Sequence, residues 1–170
     1  MLICPYCGAD DLIEGVDECE HCLQPLTDVF IRVPASSIEA DLLRDRVGDL
    51  PTREWVAVGP EATVHESMQK MVDKGVGCVL VCEGESLLGI FTERDVLMRI
   101  GSDGAKLLDS PVTGFMTVEP TSLSVKDKIA FALHKMDLGG YRHLPVLDGD
   151  RVANLISIRG ILQYLTDHRR

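Results

Sequence analysis

The chain has 170 residues, 45% hydrophobic and 26% charged, with a formal net charge of -10, enough for one ordinary soluble domain with a small appendage. The acidic balance argues against a broad grip on nucleic acid or on an anionic membrane. No apolar run reaches the roughly 18 residues of a membrane span and no signal-like leader opens the chain, so a cytoplasmic location is expected.

The first landmark is "CPYCGADDLIEGVDECEHC", in which Cys4-x-x-Cys7 and Cys19-x-x-Cys22 form two knuckles. Each knuckle turns two thiolates toward one point, and two of them supply the tetrahedral sulfur set that zinc favours. Residues 1–26 resemble a zinc ribbon, with Cys4, Cys7, Cys19 and Cys22 as ligands. Four thiolates close the coordination sphere, so the metal is expected to be structural. Rubredoxin-like iron and redox disulfides are the alternatives. His21 lies inside the second knuckle and reads as an exposed neighbour. The surrounding acids Asp10, Asp11, Glu14, Asp17, Glu18 and Glu20 count against nucleic acid as the ribbon's partner.

Residues 27–46 read as a linker ending in a short amphipathic helix, "SIEADLLRDRV", with Ile38, Leu42 and Leu43 on one side. A pattern then occurs twice: a short strand, a proline, a helix, two apolar strands joined by a polar turn, and a final helix. The first helix of copy one carries Val64, Met68, Met71 and Val72 at helical spacing; that of copy two carries Val125, Ile129, Ala132, Leu133 and Met136. Ser124 and Asp127 are placed as a variant capping box. Met68, Met71 and Met136 read as core.

Gly75 matches Gly140, Val79 matches Leu144, and Gly89 matches Asn154, each 65 residues on, whereas Pro60 and Pro120 differ by 60 and Val64 and Val125 by 61. The shift predicts a first helix about one turn longer in copy two. Cys78 and Cys82 share one strand face with Leu80. Four residues of strand span about 13 Å and a disulfide needs Cα atoms within roughly 7 Å, so the two read as small core residues.

The motifs "VGDLPTREWVAVGPEATV", "VTGFMTVEPTSLSV", "YRHLPVLDGD" and above all "GIFTERD" carry a family resemblance. From residue 47 to about 167 the chain resembles a tandem pair of CBS (cystathionine-β-synthase-type) domains. The expected fold is α+β (mixed α/β), two β-α-β-β-α repeats in a pseudo-two-fold pair behind the Cys4 ribbon. The expected domains are 1–26, 27–46, 47–108 and 109–170. The resemblance further implies a cleft between the repeats for adenosine nucleotides, a regulatory role, and a homodimer. AMP, ADP, ATP, S-adenosylmethionine and NADH are the candidate ligands.

The family's nucleotide signature stands whole in copy one as Gly89, Thr92 and Asp95. Taken alone, Thr92 and Asp95 suit a helix cap. Within the resemblance, Asp95 accepts hydrogen bonds from ribose hydroxyls, Thr92 meets a phosphate oxygen, and Gly89 allows close backbone approach. Copy two reads Asn154, Ser157 and Gly160 and lacks the carboxylate, so one strong site per chain is expected. Arg142, His143 and Ser157 are the basic and hydroxyl candidates from copy two, with Arg159 as another. The adenine slot is assigned to Val58, Cys78 and Ile90, beside Trp55 and Val56. Arg94 and Arg99 read as a solvated helix face. No catalytic triad, paired catalytic carboxylates or open metal site stands out, so no enzymatic activity is expected. A nucleotide-switched adaptor for a protein or nucleic acid, acting through the ribbon, and a redox protein are the rival readings.

Overall fold

One offset of 65 residues runs through the fold, and it shows how the elements arise. The computed structural model describes residues 3–10, 18–26, 36–52, 54–101 and 104–167. Asp11, Glu14 and Asp17, and linker residues 27–35, lie outside the described residues. Helix α1 (Ser37–Arg44) leads into a 3-10 turn at Val47–Asp49, then β1 (Ala57–Val58), α2 (Val64–Lys74), β2 (Cys78–Glu83) and β3 (Ser86–Thr92). A one-turn α3 (Glu93–Asp95) continues as a π-turn at Val96–Ile100, followed by α4 (Gly104–Leu107). The second copy brings a 3-10 turn at Val112–Gly114, β4 (Thr117–Val118), β5 (Leu123–Ser124), α5 (Ile129–Gly139), β6 (His143–Asp148), β7 (Arg151–Ser157) and α6 (Ile158–Asp167).

The 3-10 turns, the long helices, both hairpin strands and the start of the last helix each recur 65 positions later. Gly75 and Gly140 end α2 and α5 in the same left-handed conformation, both at φ 62°. Only glycine takes that conformation without steric cost, which is why both helices stop there.

The expected extra turn in copy two is absent. Helices α2 and α5 are both 11 residues long. Val64 corresponds to Ile129, not to Val125, which lies outside the helix. Ser124 and Asp127 do bond, the Asp127 carboxylate accepting from the Ser124 N–H at 2.9 Å. They close a turn ahead of the helix rather than capping it, for the residue before α5 is Lys128. Pro60 and Pro120 were never equivalent positions, and pairing them produced the shift. Val72 also departs from expectation, at 75% exposure, because the buried face of α2 is Val64, Ser67 and Met71.

Strand β2 runs parallel to β1 and antiparallel to β3, and β3 also pairs antiparallel with β4. Alternation along β2 divides its side chains between two clusters. Val79 and Val81 join Val58, Val64, Met71 and Phe91, whereas Cys78 and Leu80 join Ile90 and Val152. Each fully buried Val, Leu or Phe contributes about 1.5–3 kcal/mol. The two cysteines share a face as expected, and both are free thiols.

The chain forms two compact units that do not follow the order of the repeats. One comprises Met1–Pro51, Leu123–Val146 and Ile156–Arg170; the other comprises Thr52–Ser122 and Leu147–Leu155. Hydrogen bonds give the reason. In the first unit, the segment leading into copy one is stitched to the helix of copy two: Ile129 N–H donates to Asp45 O at 3.0 Å and Val47 N–H to Asp127 O at 2.9 Å. In the second unit, the segment leading into copy two is stitched to α2 through the equivalent pairs, Val64 N–H to Ser110 O and Val112 N–H to Ala62 O. Each helix start is thus completed by the lead-in of the other copy. The core of the first unit gathers Val47, Leu50, Leu123, Ile129, Phe131, Leu144, Ile156 and Ile161. Among the described residues, no helix is long and apolar enough to cross a membrane.

Candidate functional site

The two knuckles fold alike. Gly8 N–H donates to Cys4 O at 2.8 Å and Leu23 N–H to Cys19 O at 2.7 Å, while Cys4 and Cys19 N–H reach back to Ala9 and Gln24. Both turns need a left-handed residue: Gly8 at φ 80° and, less comfortably, Leu23 at φ 56°. The result brings Cys4, Cys7, Cys19 and Cys22 together, with all four Sγ atoms within 4.8 Å of one another. Cys4 and Cys22 are 3.7 Å apart, as are Cys7 and Cys19. Ligands about 2.3 Å from a tetrahedral ion lie about 3.8 Å from each other, so the quartet fits thiolate coordination.

Burial and the neighbouring cysteines govern how these thiols titrate. Burial pushes the Cys7 thiol up to about 12, with Cys4 adding to the push. Burial likewise raises Cys22, helped by Cys19 and Cys7. At Cys19, burial pushes upward but N–H donors of Cys22 and His21 outweigh it, and the thiol is lowered. Cys7 and Cys22 are therefore held as thiols until a cation displaces their protons. His21 is exposed and stands outside the quartet, as expected.

The second site lies where β3 passes into α3. Thr92 is extended and its hydroxyl caps the turn by accepting from Asp95 N–H at 3.3 Å. Asp95 returns the bond twice: its Oδ2 accepts from Thr92 N–H at 2.9 Å and from Thr92 Oγ1 at 2.7 Å. The carboxylate is only 6% exposed. Its other oxygen, Oδ1, has longer contacts, with Arg99 Nε at 3.4 Å and Thr117 Oγ1 at 3.4 Å. Asp95 is therefore a capping residue whose Oδ2 is committed and whose Oδ1 is loosely held.

Arg99 is exposed as expected, its side chain 44% accessible, yet it is also anchored. It bonds Phe115 O at 3.0 Å, Met116 O, and Thr117 Oγ1 at 3.4 Å, as well as Asp95. The sequence signal was the i, i+4 spacing of Asp95 and Arg99; Thr117, far along the chain, left none. Arg94 is exposed as expected. Gly89 has a structural reason of its own. A Cβ there would fall 2.4 Å from Met116 Sδ and 2.8 Å from Thr117 O, so the glycine admits β4.

The remaining expected site residues divide between the units. Val58, Cys78, Ile90, Thr92 and Asp95 belong to one, and Arg142, His143 and Ser157 to the other. Cys78 and Ile90 share a cluster beside Trp55, but the Val58 side chain packs in the cluster on the opposite face of β2. Only its backbone is left to meet a ligand on the Cys78 side. Ser157 repeats the cap of Thr92, accepting from Gly160 N–H at 3.2 Å, without a carboxylate to return the bond. A separate cleft of about 450 Å³ opens near the other end of β3, lined by Ser86, Leu87, Glu119, Pro120, Ser122, Leu147 and Asp150. It contains none of the expected site residues.

Comparison with known proteins agrees with the repeat. The CBS domain family model matches residues 47–102 and 112–167. A CBS-domain containing protein from Agrobacterium tumefaciens is 30% identical, with a TM-score of 0.65 over 71% of this chain and 98% of that one. A CBS domain-containing protein of Arabidopsis thaliana is 40% identical over 98 residues, 56% of this chain but 18% of that longer protein. A CBS domain protein from Pyrobaculum aerophilum, solved in complex with AMP, shares the fold at 24% identity and a TM-score of 0.62, over 72% of this chain and 99% of that one. The two copies share one 65-residue offset, matching helix caps and matching hairpins, and the chain belongs to the CBS domain family.

Proposed function

We propose that this protein is a regulatory module that binds an adenine nucleotide of the AMP, ADP or ATP class in copy one, and acts by binding rather than by catalysis. The observation that carries the reading is the buried hydroxyl–carboxylate pair Thr92–Asp95 at the end of β3. A carboxylate already desolvated and oriented by its cap makes stronger hydrogen bonds to a diol than a mobile one in water. Asp95 Oδ1, whose contacts are long, is the atom that accepts the ribose hydroxyls. The Thr92 hydroxyl, whose one proton goes to Asp95 Oδ2 in the free protein, turns that proton to a phosphate oxygen when the ligand binds; Cys78 and Ile90 offer the apolar contact for adenine, and Val58 contributes backbone. The AMP held by the Pyrobaculum aerophilum relative supports the ligand class.

The Cys4–Cys7–Cys19–Cys22 quartet holds a structural zinc, and the ribbon serves for contact with a regulated partner. The protein works in the cytoplasm as a homodimer. Titration calorimetry against AMP, ADP, ATP, S-adenosylmethionine and NADH tests the nucleotide reading: the expected result is saturable binding of an adenine nucleotide at one strong site per chain. Heat from none of the five, or two equally tight sites, overturns it. Elemental analysis of protein purified under reducing conditions is expected to give one zinc per chain; iron would instead support the redox reading.

A further inference from the structure

The two long helices start differently, and the difference involves the ribbon. In α2 the residue before the helix is Thr63, whose N–H donates to Glu66 Oε2 at 2.8 Å while its hydroxyl accepts from Glu66 N–H at 3.1 Å. This reciprocal capping box satisfies the helix start from within. Sixty-five residues on, the same positions are Lys128 and Phe131. Lys128 makes no side-chain cap and Phe131, 4% exposed, is part of the core. The Lys128 N–H donates instead to the carbonyl of Tyr6, at 3.2 Å. Tyr6 stands between Cys4 and Cys7, inside the first knuckle.

Side chains join the ribbon to the same place. Tyr6, Cys7 and Cys22 pack against the core that contains Ile129, Phe131 and Ala132. The Tyr6 ring lies 6.5 Å from that of His134, one turn along the helix face from Ala130. Ribbon and α5 belong to one compact unit, and α2 belongs to the other.

We infer that the ribbon is the missing cap of the second copy: a knuckle closed by metal holds the Tyr6 carbonyl where the capping-box glutamate would otherwise reach. The stability of α5 is then linked to metal occupancy of the four cysteines, and that of α2 is not. This rests on the quartet binding a metal, as proposed above. An unmade cap leaves a helix-start N–H without its partner, and the loss is felt in the first turn before it spreads along the helix.

The experiment is hydrogen exchange on the full chain, metal-loaded and after chelation under reducing conditions, with metal content measured on the same samples. Amides of Lys128–Ala132 are expected to exchange about five- to tenfold faster without metal, while Val64–Ser67 keep their rates. Lys128→Pro removes the donor and should make the start of α5 insensitive to chelation. Unchanged exchange at Lys128–Ala132 despite complete metal removal overturns the inference, as does equal loosening of α2. If that variant does not fold, the wild-type comparison decides alone. Samples that never contained metal sink the quartet reading and the clamp together, and the metal assay distinguishes that failure from the other two.

Discussion

The two copies share their backbone plan from the 3-10 turn to the start of the last helix and differ at a few side chains that decide what each can do. Copy one has the capping box Thr63–Glu66 and the hydroxyl–carboxylate pair Thr92–Asp95. Copy two has Lys128 and Phe131 at the first place and Ser157 and Gly160 at the second. Its last helix, α6, is a regular helix of 10 residues, whereas the corresponding segment of copy one passes from a single turn into a π-turn. The comparison teaches that a repeated fold is preserved by its caps and hairpin glycines, while the carboxylate beside the cap at the end of the hairpin is present in one copy and absent from the other. Where copy two has no capping box, the Lys128 N–H finds the Tyr6 carbonyl instead.

The largest test of that asymmetry is Asp95→Ala. Loss of charge-assisted bonds to a ribose is worth roughly 1.5–3 kcal/mol, or about 10- to 150-fold in affinity by calorimetry. Because Asp95 is also half of a cap, unfolding by urea should show a stability loss of about 1 kcal/mol in the same variant. Equal affinity in wild type and variant would leave Asp95 as a cap alone.

Gly89→Ala comes next, since a methyl group at Gly89 meets the Thr117 carbonyl and Met116. Overpacking of this kind costs about 1–3 kcal/mol, read as a lower urea midpoint. A smaller effect separates the helix starts: Thr63→Ala should cost about 1 kcal/mol in metal-loaded protein, and Lys128→Ala only a few tenths. A large loss for Lys128→Ala would mean that its side chain, which also reaches the Arg44 carbonyl, matters more than its N–H. The knuckles offer a gain instead. Leu23→Gly places a residue suited to φ 56° where a leucine is strained, and should raise stability by about 0.5–1 kcal/mol.

The last effect is invisible near neutrality. Burial raises the Cys78 thiol from 9.0 to about 12. A folded-state value above the unfolded one means that its contribution is whole below about pH 9 and is lost as pH rises toward 12. Stability should therefore fall over that alkaline window, less so in Cys78→Ala once its own packing loss is subtracted. Rapid alkylation of Cys78 in the folded protein at pH 8 would contradict its burial.

The sequence was a good guide wherever a local rule governs. Cysteine spacing fixed the quartet because two-residue knuckles have one geometry for a tetrahedral ion, and Gly75 and Gly140 fixed two helix ends because few other residues tolerate their conformation. Alternation in "GCVLVC" sorted Cys78 and Leu80 from Val79 and Val81. Errors came where a marker was read without its context. Pro60 and Pro120 looked like a repeated signal, but Trp55 is the residue that corresponds to Pro120, and the false pairing invented an insertion. The stitching of Asp45 to Ile129, the capping of Lys128 by Tyr6, and the hold of Arg99 on the Phe115 carbonyl were illegible for a different reason. Backbone carbonyls carry no residue identity, so a bond to one across 80 or more residues leaves no pattern in the letters; the shorter hold of Arg99 leaves none either.

The exchange of lead-in segments has a consequence for the order in which the chain assembles. Joining Val64 to Ser110 closes a loop of 46 residues, whereas joining Asp45 to Ile129 closes one of 84. From a random coil the longer closure costs only about 0.5 kcal/mol more, but most of its span is the other unit. If residues 52–122 condense first, the later closure spans a body already folded and little free chain remains to be restrained. Nascent protein leaving a ribosome would meet the same sequence of events, with the amino-terminal cysteines waiting for a helix synthesised more than a hundred residues after them.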